Sequence, residues 1–390
     1  MASTAGIPRA VWMLGLVSLF MDVSSELIHS LLPVFMVTSL GATALMVGVV
    51  EGVAEATALI VKVFSGTISD WLGKRKGLTV LGYGLGAISK PVFALAVTVH
   101  WVFAARFLDR IGKGIRGAPR DALIADLTPP EIRGAAYGLR QSLDTVGAFV
   151  GPLLAIGLMI LWAGDFRAVF WFSVIPAVLA VLILVFGVRE PQAGRSAARP
   201  TSPVHWHSLR EFSGAYWWVV VAGGIFTLAR FSEAFLILRA QQLGLADTFA
   251  PLVLVIMNVV YAASAYPMGR LADRMSHGKL LAAGLAVLVL ADIVLAQAQG
   301  LAAVMAGVVL WGLHMGMTQG LLSAMVAGAA PAQLRGTAFG FFNLVSGVAM
   351  LIASVLAGLL WDQLGAAFTF YAGAAFSVLA LALLMLRRGS

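Results

Sequence analysis

Apolar runs of about 20 residues follow one another along almost the whole chain, the length a helix needs to cross roughly 30 Å of hydrocarbon. Twelve can be drawn, at 11–38, 44–68, 78–98, 101–123, 135–162, 167–188, 213–241, 247–269, 280–298, 301–326, 335–361 and 366–386. Alternating ten-residue strands are absent, so the spans are read as helices, which close their own backbone hydrogen bonds. Only 11% of the 390 residues are charged, against about 25% in soluble domains. Composition therefore argues against a water-soluble enzyme and for an all-α membrane protein.

The formal net charge of +8 would suit nucleic acid, but the basic residues sit in short loops on alternate sides of the spans. Arg9, Lys74, Arg75, Lys76, Arg133, Arg189, Arg210, Arg270, Lys279 and Arg335 fall on one side; the opposite loops carry Arg167 and acids such as Asp165, Asp247 and Asp362. By the positive-inside rule both termini and the long central linker are cytoplasmic, in a bacterial-type inner membrane. The segment before Arg9 runs straight into a span and does not read as a cleaved signal peptide. There is no cysteine, which removes disulfides, thiolate metal sites and cysteine nucleophiles. No Gly-x-x-x-x-Gly-Lys-Ser/Thr loop and no catalytic constellation appears, so neither a primary pump nor an enzyme is expected, and no cofactor or resident metal.

The chain is built twice. Gly66-Thr-Ile-Ser-Asp-Trp-Leu-Gly-Lys-Arg-Lys76 returns weakened as Gly269-Arg-Leu-Ala-Asp-Arg-Met-Ser-His-Gly-Lys279, with Asp70 matched to Asp273. Arg133-Gly-Ala-Ala-Tyr-Gly138 matches Arg335-Gly-Thr-Ala-Phe-Gly340, and Ser25-Glu26 corresponds to Ser232-Glu233. The stretch from about 190 to 212 is rich in Pro, Ser, Ala and Arg and reads as a flexible connector. The expected organisation is an N-terminal six-helix bundle over 1–189, a linker over 190–212 and a C-terminal bundle over 213–390.

Over almost its whole length the chain resembles the major facilitator superfamily. The twelve spans, the central linker and the Gly66-x-x-x-Asp70-x-x-Gly73-Lys74-Arg75 loop carry the likeness. It implies two pseudo-symmetric bundles around a midplane substrate site and alternating access. It also implies that Asp70 caps or pairs with a neighbouring span in the outward-open state, with Asp273 its counterpart. Gly147-Ala-Phe-Val-Gly151-Pro152 is similar to the Gly-x-x-x-Gly-Pro signature of the drug/proton antiporters, with Gly157 alone standing for its closing glycine pair. Gly66, Asp70, Gly73, Lys74, Arg75, Gly147, Gly151, Pro152 and Asp273 are accordingly the gating candidates. Ordinary topology setting by Lys74–Lys76 and small-residue packing at Gly147 and Gly151 stay open beside that role.

Span four is charged in an unusual way, with Arg106, Asp109, Arg110, Lys113, Arg116, Arg120 and Asp121. Steps of four, three and seven put Arg106, Arg110, Lys113 and Arg120 along one face, which must avoid lipid, since each midplane charge costs about 2.5–3.5 kcal/mol to insert. Asp22 and Glu26 lie one turn apart on span one, Glu51 and Glu55 one turn apart on span two, and Arg140 and Asp144 share span five. Asp22, Glu26, Asp109, Glu55 and Asp144, with Arg110 as charge partner, are the proton-coupling candidates; static buried ion pairs are the competing reading. Glu26, Lys113, Arg140, Glu233, His314, Gln319 and Asn343 are the substrate candidates, because buried amides, imidazoles and charges need partners. Asp22, Glu26 and His29 with His314 would also make a carboxylate–imidazole set for a divalent ion.

These residues predict a monomeric, proton-coupled secondary transporter that exports a small organic or drug-like molecule. Uptake by symport, and export of an anion or a metal ion, are the alternatives. A non-transporting receptor or scaffold would have no need to carry charges at mid-bilayer.

Overall fold

The computed structural model describes residues 6–72, 74–189, 211–272, 274–318, 320–331 and 334–386; of Thr67 and Asp70 it describes the backbone only. Three expected site residues, Gly73, Asp273 and Gln319, lie outside the described residues, as do the Asp70 side chain and the linker from 190 to 210.

The described chain is helical. It runs α1 (Arg9–His29), α2 (Leu32–Thr38), α3 (Ala44–Leu72), α4 (Arg75–Ala94), α5 (Val99–Asp126), α6 (Arg133–Leu161), α7 (Phe166–Phe172) and α8 (Val174–Leu182). Then follow α9 (Gly214–Leu228), α10 (Ala234–Gln242), α11 (Leu252–Ala272), α12 (His277–Gln297), α13 (Leu301–Thr318), α14 (Leu321–Ala329), α15 (Arg335–Leu364) and α16 (Ala366–Leu386). Side chains start some of them: Asp165 accepts from Arg167 N and Ala168 N at the head of α7, and Ser213 accepts from Tyr216 N at the head of α9.

Among the described residues nine segments are long and apolar enough to cross a membrane, fewer than the twelve runs drawn from sequence. Two of the shortfalls have visible causes. Helix α5 is long enough, but its charges take it out of the apolar class. The expected 213–241 span breaks at 229–233 into α9 and α10, each shorter than a bilayer crossing. Other spans break as well: α1 stops at His29 and resumes at Leu32, ahead of Pro33, and α13 is divided from α14 at Gly320, whose φ of 75° suits only a residue without Cβ. Broken helices at bilayer depth are tolerated where they line a cavity or are buried in protein, and transporters use them to build sites.

Packing divides the chain into two compact units. One comprises Met1–His29 and Ile60–Pro203, the other Ser30–Leu59 and Val204–Ser390. In the first, α1 packs along α6 and α4 along α5, with α8 covering α1. Backbones meet where side chains are missing. A Cβ on Gly112 of α5 would stand 2.5 Å from Gly82 O and 3.0 Å from Gly86 N of α4, so Gly82-x-x-x-Gly86 forms the trough in which α5 lies. Val11, Leu14, Val17, Met21, Tyr83, Leu123, Ile124, Ala177 and Ala180 make the buried core beside it. In the second unit α12 is flanked by α13 and α16, α11 by α13, and α9 by α15.

The α4–α5 contact yields the first test. Gly112→Leu must push the two backbones apart, and overpacking of this kind costs about 1–3 kcal/mol. We expect a lower melting temperature of the purified protein in detergent than for Gly84→Leu, a position with nothing within 4 Å of its Cβ. Equal melting temperatures would refute the close approach.

Candidate functional site: a charged network in the first unit

Two glycines of α6 seat the acidic face of α1. A Cβ at Gly147 would lie 2.9 Å from Asp22 Cβ and 2.7 Å from Leu19 O; one at Gly151 would lie 2.9 Å from Glu26 Cβ and from Val23 O. The expected gating glycines are thus the notches that bring Asp22 and Glu26 against α6, one turn apart on both helices. Pro152 follows in the same helix and is buried. His29, one turn beyond, reaches Glu26 Oε2 through Nδ1 at 3.3 Å. Asp22 lies in the electrostatic field of Asp144, Arg116, Lys113 and Glu26, and Glu26 in that of His29, Lys113 and Arg110.

Helix α5 supplies the opposing charge. Asp109, 3% exposed, receives Lys90 Nζ at 2.8 Å, and the same ammonium donates to Ser25 Oγ at 3.0 Å. Arg110 Nε stands 3.9 Å from the other oxygen of Asp109. On α6, Arg140 pairs with Asp144 at 2.9 Å and approaches Asp121 at 3.7 Å, while Arg120 takes Asp121 at 3.1 Å. Arg116 lies 4.5 Å over the Tyr83 ring. Arg120 Nη1 donates to Ser18 Oγ at 3.2 Å and to Tyr83 Oη at 3.4 Å, and Ser18 Oγ and Tyr83 Oη are themselves 3.2 Å apart. Away from the helix ends, the spans of this unit carry Lys62, Lys90, Arg106, Arg110, Lys113, Arg116, Arg120 and Arg140 against Asp22, Glu26, Asp109, Asp121 and Asp144. Lys90, Arg116, Tyr83 and Ser18 were not among the expected site residues. A lysine inside the apolar run 78–98 was the available signal, since an intramembrane ion marks function by default.

Residues 66–72 of the expected loop are the last turns of α3, and the basic residues that open α4 tie helix ends together. Arg75 Nη1 pairs with Asp126 at the end of α5 at 2.9 Å, Lys76 Nζ donates to Val185 O at 2.8 Å, and Lys74 is exposed. A Cβ on Gly66 would meet Ala118 Cβ at 3.4 Å, ordinary contact.

The second unit is arranged differently. Its first feature is a seam between the start of α3 and α15. Asp362 at the end of α15 accepts from Ala44 N at 3.0 Å and Leu45 N at 2.9 Å, capping α3 across more than 300 residues. A Cβ on Gly358 would sit 2.5 Å from Ala44 O, one on Gly52 3.1 Å from Leu351 O, and one on Gly48 would run into Ser354 O. A cavity of about 450 Å³ adjoins the seam, lined by Leu238, Gln241, Trp361 and Asp362 among others. Glu51 is buried on α3 and Glu55 half-buried.

His314 is fully buried on α13; its Nδ1 bonds Gly284 O on α12 at 2.8 Å and its ring lies tilted on Phe226. That makes it an interhelix tie. Glu233 stands at the head of α10 in the field of Arg230, and Asn343 is half-buried on α15. Among the described residues no three His, Asp or Glu side chains converge in a group that could hold a metal. Asp292 of α12 is fully buried and neither of its oxygens has a hydrogen-bond partner among the described residues.

Discontinuous apolar helices, a charged interior in one unit and a glycine seam in the other define a multi-pass membrane transporter. A family model described as Major Facilitator Superfamily matches residues 14–238 and 219–390, and the chain belongs to that superfamily. The MFS-type transporter MJ1317 of Methanocaldococcus jannaschii is 30% identical over 387 residues, covering 97% of this chain and 95% of the relative. The multidrug resistance protein MdtH of Edwardsiella ictaluri is 31% identical over 153 residues, 39% of this chain and 37% of its own. The crystal structure of the nucleoside transporter NupG superposes with a TM-score of 0.81 at 12% identity, over 97% of this chain and 99% of that one, a likeness of fold.

The Lys90–Asp109 pair is open to a direct test. Removing one partner of a buried pair strands the other charge, at about 3–5 kcal/mol. Lys90→Met should lower the melting temperature sharply, and adding Asp109→Asn should recover part of the loss. A double variant as unstable as the sum of the singles would show that the two do not interact.

Proposed function

We propose that this chain is a proton-coupled secondary transporter that works by alternating access, and that Asp22 and Glu26 are its proton-exchanging carboxylates. One observation carries the reading: both acids sit on the Gly147 and Gly151 notches, in the fields of Lys113 and of Arg116 or Arg110. A carboxylate whose partners are mobile cations changes its hold on a proton when those cations move. The notches couple that change to the α1–α6 contact. Arg110, Asp109 and Asp144 complete the proton network in this scheme. Glu26, Lys113, Arg140, Glu233, His314, Gln319 and Asn343 remain the substrate candidates, the first three favoured by membership of the network.

Export of a small organic molecule is the direction we favour, on the Gly147–Pro152 segment and on the partial likeness to a multidrug resistance protein. A second reading, uptake by symport, has its own support. The first unit's spans hold more cations than carboxylates, and an anion drawn onto Arg116 and Lys113 would leave Asp22 free to take a proton. We further infer two six-helix bundles, a monomer, an inner membrane and cytoplasmic termini, from the sequence repeat and the basic loops.

In this scheme the α3–α15 seam is a gate opposite the 66–76 loop, closed when Asp362 caps α3. Asp70 and Asp273 would act at the other side.

The coupling test uses proteoliposomes with an imposed pH gradient and labelled ethidium or glutarate as cargo. Asp22→Asn or Glu26→Gln should abolish gradient-driven accumulation while leaving counterflow exchange in place. Wild-type accumulation in both variants would reject the proton assignment. For the gate, Asp362→Asn removes a cap worth about 0.5–2 kcal/mol. On this cysteine-free chain, Leu238→Cys, 4% exposed in the native residue, should then label several-fold faster than with Asp362 intact. Unchanged labelling would mean that Asp362 holds no gate.

A further inference from the structure

The spans of the first unit carry more cationic than anionic side chains. Its spans hold eight Lys and Arg against five Asp and Glu away from the helix ends. Lys90 is satisfied by Asp109, Arg140 by Asp144, and Arg120 by Asp121. Arg116 is different. It is 4% exposed, its Nη1 has no hydrogen-bond partner among the described residues, and its guanidinium lies over the face of Tyr83 with Asp22 and Asp109 in its field. A buried guanidinium nitrogen left without an acceptor at membrane depth is expensive. Gly86 leaves room beside it, for a Cβ there would lie 3.2 Å from Arg116 Nη1.

The groups around Tyr83 are shaped for an acid. Its ring carries Arg116 on one face, while its hydroxyl joins Ser18 Oγ and Arg120 Nη1 in a triangle of 3.2–3.4 Å contacts. Two guanidiniums, each a rigid fork of donors, and two hydroxyls thus meet within one cluster. Arginine forks match the paired oxygens of carboxylates and phosphates, which a lone ammonium does not. Asp22, Asp109, Asp144, Lys90 and Lys113 also contribute to the field around this cluster, and Asp121 holds the far side of Arg120.

We propose that Arg116, Arg120, Tyr83 and Ser18 bind the acid group of an organic anion, so that the cargo is a carboxylate- or phosphate-bearing small molecule. The assignment rests on the transporter reading above and narrows its substrate. The anion supplies the acceptor that Arg116 Nη1 lacks and adds its charge to those of Asp22 and Asp109. Tyr83 and Ser18 position the two guanidiniums and donate to the remaining oxygens.

The test is binding by the full chain in phosphatidylcholine nanodiscs, read as the shift of melting temperature against ligand concentration. Inorganic phosphate and glutarate are the probes, tetraphenylphosphonium the cationic control. We expect a saturable shift with at least one anion and none with the cation. Arg116→Gln should raise the half-saturating concentration tenfold or more, and Arg116→Lys less. Tyr83→Phe, which keeps the ring under Arg116, should raise it several-fold with the ligand-free melting temperature unchanged, a result that a merely structural tyrosine would not give. Should Arg116→Gln fail to fold, Tyr83→Phe and Arg120→Lys decide.

The site is rejected if no anion shifts the wild type, or if the variants bind as it does. It is also rejected as a cargo site if the shift appears only when phosphatidylglycerol is added, since the ligand would then be a lipid headgroup. Anion binding without any counterflow in proteoliposomes would leave the anion site standing and overturn the transport reading alone. Counterflow of ethidium with no anion binding would do the reverse.

Discussion

A charge inside hydrocarbon must find its partner within the protein, and that requirement organises the first unit. Helix α5 carries seven ionisable residues between Arg106 and Asp121, and no orientation of a lone helix could hide them from lipid. They are tolerable because α1, α4 and α6 bring Asp22, Glu26, Lys90, Tyr83 and Asp144 to meet them. Each partner is itself costly alone, so the network is assembled together or not at all. This mutual dependence is what makes its charges suitable for a cycle. Displacing one cation or protonating one acid changes what its neighbours can bear.

Glycine contacts supply the precision. Between α4 and α5, between α1 and α6, and between α3 and α15, backbones approach where a Cβ would collide with carbonyl or main-chain atoms. In lipid there is no hydrophobic force between helices, so association relies on such close packing. The position of Glu26 is therefore fixed by what Gly151 lacks. The α1–α6 notches lie directly under the two acids, and on the proposed scheme a change in their charge is felt at that backbone contact. An arrangement of bulky residues would have cushioned it.

Much of this was legible in the chain. Apolar run lengths pointed to the membrane class, and the steps along span four marked its charges, of which Arg106, Asp109, Arg110 and Arg116 are buried while Lys113 is exposed. The Gly147–Pro152 segment marked the helix that meets Asp22 and Glu26, although only the structure shows the glycines beneath those two side chains. What stayed hidden were partners far apart in sequence. Lys90 and Asp109 are 19 residues apart and Asp362 caps a helix more than 300 residues away; no local period encodes either. The span over 213–241 looked continuous because the polar break at 230–233 is short and apolar residues resume at once over 234–238. His314 looked like a ligand by residue type, and its bond to the Gly284 carbonyl, contributed by another helix, could not be read from its neighbours.

The two units divide the labour in a way the duplication alone would not suggest. The same repeated pattern gives α5 seven ionisable residues between Arg106 and Asp121, while its counterpart α13 keeps only His314, held to a carbonyl. A charged network in the first unit and a capped helix contact in the second are physically complementary. A titrating network needs neighbours whose positions can change with charge. A gate needs contacts that are either fully made or fully broken. Asp362 meets the second need: two short bonds to the first amides of α3 exist only while α15 lies alongside, and they vanish together once it does not. On the proposed transport scheme, this difference lets one unit sense a proton or an anion while the other commits the chain to a side of the membrane.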